Sequence, residues 1–125
     1  MPVKVRYIVH DADAAVAFYT EALGFKVDMH FGSGFAAVSR GDLQLLMNKP
    51  GAGGAGASDA QGRAPEAGGW NRIQIETDDL DGLVEQLRGR GASFRSDIVQ
   101  GAGGRQILLE DPSGNLIELF EPPRG

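Results

Sequence analysis

The chain has 125 residues, 12 basic against 17 acidic, a net charge of -5 and no cysteine. That length suits one domain, or two small modules sharing a core. The charge argues against nucleic acid and anionic membranes as partners, and the missing cysteines exclude disulfides, thiolate nucleophiles and zinc–thiolate sites.

No apolar run approaches the roughly 20 residues a membrane span needs. Met1-Pro2 leads straight into a strand without a signal peptide, so a cytoplasmic protein is expected. Residues 3–9 alternate. Val5, Tyr7 and Val9 form an apolar face; Lys4, Arg6 and Ile8 form the other. Asp11 or Asp13 then caps a helix in which Ala12, Ala15, Val16, Tyr19 and Leu23 share a side, and Gly24 ends it. Strands are expected over 25–31, 35–39 and 43–48. Residues 49–69 are rich in glycine and alanine, with Pro50 and Pro65, and read as a mobile connection, not a packed element.

The second half repeats the first. Residues 71–77 alternate, Asp78 or Asp79 caps a helix striped by Leu80, Leu83, Val84 and Leu87, and Gly89 and Gly91 stop it. Residues 93–99 read as a weaker strand, 101–104 as a turn, and 106–110 with 116–120 as a closing hairpin. Pro112 and Gly114 set its turn, and Asp111 can bond forward to turn amides. Glu21, Asp81 and Glu85 read as solvated helix faces. Each half is β-α-β-β-β, so the fold class is α+β: two βαβββ modules, 3–48 and 70–122, joined by the Gly-rich linker 49–69. Glu118 is the misfit. It lies between Ile117 and Leu119, where an unpaired buried carboxylate costs several kcal/mol or must be neutralised.

The stretch 11–25, DADAAVAFYTEALGF, and the closing DPSGNLIELFEP resemble the vicinal oxygen chelate superfamily, which includes glyoxalase I, extradiol dioxygenases and bleomycin-resistance proteins. The resemblance implies that the two modules form a curved mixed sheet around a cavity. It implies a metal ligand on the first and last strand of each module, here Lys4, Gln44, Arg72 and Glu118. Two cations beside two oxygen donors do not make a divalent site, so no metal and no cofactor are expected, and neither His10 nor His30 repairs the set. It also implies a homodimer.

The strand parity then places Lys4, Arg6, Gln44, Asn48, Arg72, Gln74, Glu76 and Glu118 on the concave faces, with Trp70 nearby. Such a lining suits a polar or anionic small molecule held by guanidinium groups and stacked on Trp70. The expected function is a metal-free binding protein of the glyoxalase/bleomycin-resistance type. The alternative is a lyase or isomerase, including a glyoxalase-like one, with Glu118 or Glu76 as base. Arg72 is expected to pair with Glu118 where a metal would otherwise sit. Catalytic residues are not assigned.

Overall fold

A computed structural model of the chain describes residues 3–123; Met1 and Pro2, with the expectation attached to them, lie outside the described residues. The chain divides into two compact units, residues 3–68 with 112–115, and 69–111 with 116–123.

The first unit holds β1 (Val3–Ile8), α1 (Ala12–Leu23), β2 (Lys26–Phe31), β3 (Phe35–Arg40) and β4 (Leu43–Asn48). The strands form one mixed sheet in the order β1-β4-β3-β2, with β1 parallel to β4 and the other pairs antiparallel. Asp11 caps α1 by accepting from the Asp13 N–H, and Gly24 closes the helix at φ 72, a conformation a Cβ would disfavour. Ala12, Ala15, Tyr19 and Leu23 are buried, against Tyr7, Val9, Ala36, Val38, Leu45 and Met47 on the sheet's apolar side. Val16 is only half-buried. Full burial of each large side chain contributes about 1.5–3 kcal/mol. Tyr19 adds edge-to-face contacts with Phe18 and Phe25 at 5.2 and 5.4 Å.

Residues 49–69 are not the unpacked connection their composition suggests. A 3-10 turn at Gly54–Gly56 is closed by Ala57 N–H donating to Gly54 O at 3.2 Å and is tied back to the preceding chain by Gly51 N–H donating to Gly56 O at 2.7 Å. Asp59 accepts from the backbone of Gln61 and Arg63 and from the Arg63 side chain. Glycines allow the chain to turn back on its own backbone here, so local hydrogen bonds replace an apolar core.

The second unit holds β5 (Arg72–Glu76), α2 (Leu80–Gly89), β6 (Ser93–Phe94), β7 (Val99–Gly101), β8 (Gly104–Glu110) and β9 (Leu116–Glu121). Its order is β5-β9-β8-β6, with β7 also on β8. As in the first unit, the first and last strands run parallel. Asp79 caps α2 through the Gly82 N–H at 3.0 Å. Leu80, Val84 and Leu87 are buried while Leu83 is half-buried.

Two expectations are corrected. The strand expected over 93–99 is two short pieces. Phe94 pairs with Leu109 but Val99 with Gln106, a change of register across residues 95–98. Within it the Ser96 hydroxyl accepts the Leu108 N–H at 3.1 Å, standing in for a ladder carbonyl. Asp81 is not simply solvated: both its oxygens lie 2.9 Å from Arg105, and this pair, with Glu121 adding to it, holds the Arg105 guanidinium's pKa above its already high ordinary value.

Gly104 sits at φ 138, where a Cβ would collide with the Glu121 carbonyl and press on the Phe120 ring. Gly104→Ala is expected to destabilise by about 2 kcal/mol. Gly103→Ala, where a Cβ would meet nothing within 4 Å, should stay within about 0.5 kcal/mol of the parent. Urea denaturation of the two variants checks this.

Candidate functional site

In the second unit, the parallel β5–β9 pair decides what Glu118 meets. Register sets Gln74 directly opposite Glu118 and Arg72 opposite Leu116, one step along the same face. Arg72 Nη2 and Nε lie 2.9 and 3.0 Å from Glu118 Oε1. The Gln74 amide donates to Oε2 at 2.6 Å. Both oxygens of this buried carboxylate are therefore occupied by donors, and its charge is matched by a guanidinium that is itself mostly covered. Arg72 Nη1 also donates to the Trp70 carbonyl at 3.3 Å. The expected Arg72–Glu118 pair is present, with Gln74 as a third member.

Trp70 is 66% exposed. The Arg95 guanidinium stands over its ring at 5.3 Å and reaches Glu110 at 2.9 Å. Neither Arg95 nor Glu110 was among the sequence candidates. Arg95 lies in the segment where the expected strand breaks, so no alternation signalled its direction. Glu76, opposite Phe120, is exposed and lies one step beyond Gln74 on the same face.

In the first unit, Arg6 donates to the Asn48 side-chain oxygen, and Asn48 donates on to the Ala52 carbonyl at 3.2 Å. Lys4 is exposed, beside Gln44 in the register. The Gln44 amide donates to Asp28 Oδ2 at 2.9 Å, and the Ser39 hydroxyl to Oδ1 at 3.1 Å. The Gln44 hydrogen bond is the largest of the effects that hold the Asp28 carboxyl below its ordinary value, helped by Ser39 and Lys26 and opposed by partial burial. Asp28 was also missed. Strict alternation along β2 would send Asp28 and Met29 to opposite faces, but a bulge between Val27 and Met29 breaks the period.

The metal that the family resemblance implies does not fit these residues. Glu118 has both oxygens engaged by Arg72 and Gln74, Gln44 turns its amide to Asp28, and Lys4 is a cation. His30 Nε2 lies 2.6 Å from Asp13. Among the described residues, no three His, Cys, Asp or Glu side chains gather into a group able to hold a metal ion. Among those residues, too, no helix is long and apolar enough to cross a membrane.

Two shallow clefts of the second unit lie away from the Arg72–Gln74–Glu118 cluster. One of about 390 Å³ is lined by Arg88, Phe94, Arg95 and Asp97; one of about 360 Å³ is lined by Gln100, Arg105, Glu121 and Pro122. The second is walled by the Arg105–Glu121 contact, so its charges are committed to the fold.

Residues 3–119 match the model of the family described as the Glyoxalase/Bleomycin resistance protein/Dioxygenase superfamily. No curated protein sequence matches the chain. Among solved structures, a member of that superfamily from Sphaerobacter thermophilus is 25% identical, with 97% of this chain and 96% of that one covered and a TM-score of 0.74. A lactoylglutathione lyase from Agrobacterium tumefaciens is 20% identical, with 97% and 92% covered and a TM-score of 0.74. TnmS3, an antibiotic binding protein from Streptomyces sp. CB03234, is 24% identical, with 98% and 96% covered and a TM-score of 0.70. The last two likenesses speak for the fold alone.

Removing one partner of a mostly buried ion pair leaves the other charged and uncompensated, at a cost of about 3–5 kcal/mol. Partial exposure of Arg72 moderates this, so Arg72→Met is expected to cost about 2–4 kcal/mol. Adding Glu118→Leu should recover part of the loss. Denaturant titration of the four-member cycle measures it; strict additivity would show that the two side chains act independently.

Proposed function

The chain belongs to the glyoxalase/bleomycin resistance protein/dioxygenase superfamily, and from that premise we propose that it is a metal-free small-molecule-binding protein. The observation that carries this reading is the Arg72–Gln74–Glu118 cluster. The acid at the position of a family metal ligand has its charge matched by a neighbouring guanidinium and its second oxygen bonded to an amide. It needs no cation from outside, and both its oxygens are already engaged by donors.

The ligand is polar. A preference for anions has less support than the sequence alone suggests, since the guanidinium of Arg72 is spent on Glu118 and that of Arg95 on Glu110. In the second unit, Trp70 offers an exposed ring for stacking and Gln74 and Glu76 supply hydrogen-bonding groups; in the first unit Lys4, Arg6, Gln44 and Asn48 supply them. The lyase or isomerase alternative is carried less well: Glu118 is committed to its pair, and Glu76 is exposed to solvent at the end of β5. We further propose that the protein works in the cytoplasm as a homodimer. β1 and β2 end one sheet and β5 ends the other, and open sheet edges favour association.

The purified protein is expected to carry no stoichiometric divalent ion by elemental analysis and to melt at the same temperature with and without chelator. It should not turn over the lactoylglutathione lyase substrate when zinc or nickel is added, while members of a metabolite and antibiotic panel should raise its melting temperature by binding the folded state. A bound ion at full occupancy, or metal-stimulated turnover, would overturn the proposal. Light scattering over a range of concentrations should give twice the chain mass.

A further inference from the structure

The polar face of the first sheet carries a feature that the paired arginines do not explain. Lys26 lies opposite Ser39, so Asp28, two residues on, shares the face occupied by Ser39 and Gln44, which both donate to it, and the bulge that follows Val27 brings Met29 onto that face as well. Neither donor is charged. The nearest cation, Lys26, is at 4.0 Å with its side chain 80% exposed, a weak surface pairing. Asp28 therefore holds a full negative charge, fixed in direction by two neutral hydrogen bonds.

The same face continues along β2 into apolar groups. Met29 lies opposite Ala37 and Phe31 opposite Phe35, and Ala37 and Phe35 in turn lie opposite Leu46 and Asn48. Met29 is 43% and Phe31 68% exposed. The rings of Phe31 and Phe35 stack at 6.1 Å with 20° between their planes. An oriented carboxylate thus stands roughly 10 Å, three residues at strand spacing, from an open two-ring platform, with a polarisable thioether between them. An aromatic surface left in water beside a fixed charge is suited to a guest that is flat at one end and oppositely charged at the other. The chain's net charge of -5 favours the approach of the same guest.

We propose that this face of the first sheet binds a planar organic cation, with its ammonium or amidinium group on Asp28 and its rings on Phe31 and Phe35. The inference rests on the small-molecule-binding reading and narrows it to a charge class. Asp28 is the residue that sets specificity for charge; Phe31 sets it for shape.

A matched pair of probes tests it: 9-aminoacridine, a planar cation at neutral pH, and acridine-9-carboxylate, the same ring system with the opposite charge. Fluorescence titration is expected to show the cation bound at least tenfold more tightly, with affinity falling as salt is raised. Asp28→Asn and Phe31→Ser should each weaken the cation at least tenfold while melting as folded proteins. Lys26→Gln should bind it as tightly as the parent or more so. Equal affinity for both probes, or an unchanged affinity in Asp28→Asn, would overturn the inference while leaving the binding reading in place. Failure of both probes and of the whole metabolite panel to bind would overturn both. If Phe31→Ser only converts a dimer to a monomer and leaves the cation's affinity intact, the rings serve a second copy of the chain, and the inference is wrong.

Discussion

A carboxylate in the middle of an apolar strand is the constraint to which the second unit answers. Glu118 is 8% exposed, and a charge so placed needs a partner with good geometry or it costs several kcal/mol. The partner comes from topology. Because the first strand of the unit lies parallel to its last, Arg72 and Gln74 come alongside Glu118 in a fixed register. The same pairing in the first unit brings Lys4 and Arg6 beside Gln44 and Leu46. One strand arrangement, used twice, puts the polar side chains of each unit onto one sheet face.

Strand β9 carries a second acid that does a different job. Glu121 is 6% exposed and accepts the Leu80 N–H at 2.9 Å, at the first turn of α2. It satisfies one of the orphan amide donors at that helix start and complements the positive end of its dipole. Three residues apart on a strand, Glu118 and Glu121 point to opposite faces. One acid ties the strand to its neighbour in the sheet, the other ties it to the helix behind.

Much of this was legible from residue patterns. The period-2 runs of β1 and β5, the helical stripe of α2, Asp11 and Asp79 as caps, and the misfit of Glu118 all rest on local rules that the fold obeys. What escaped has a common cause in broken period. The bulge at Asp28 puts Asp28 and Met29 on one face, and the register shifts across residues 95–98, without any change of composition, so counting odd and even positions through either break misassigns side chains. Asp28 and Arg95 both fall at such breaks. Residues 49–69 escaped for another reason: their order comes from backbone hydrogen bonds at glycines, and these leave no hydrophobic signature. Glu121 was hidden because a helix start can be capped by an acid some 40 positions away in the chain as readily as by its own N-cap.

The turn after β8 groups with the first unit, not with the strands it joins. Asn115 donates to the Ile8 carbonyl and accepts from Gly68 N–H, both at 2.8 Å, and Ser113 accepts from His10 N–H at the same distance. The end of β1 thus receives its hydrogen bonds from a segment more than 100 positions later. Sequence repetition suggests two interchangeable halves, yet the first half is not autonomous. A fragment ending at residue 68 would carry an unbonded Ile8 carbonyl and His10 amide at the mouth of its helix, and no duplicate of itself supplies Ser113 and Asn115. The turn of the second half therefore completes the first unit, and dividing the chain at residue 68 would cost that unit these hydrogen bonds.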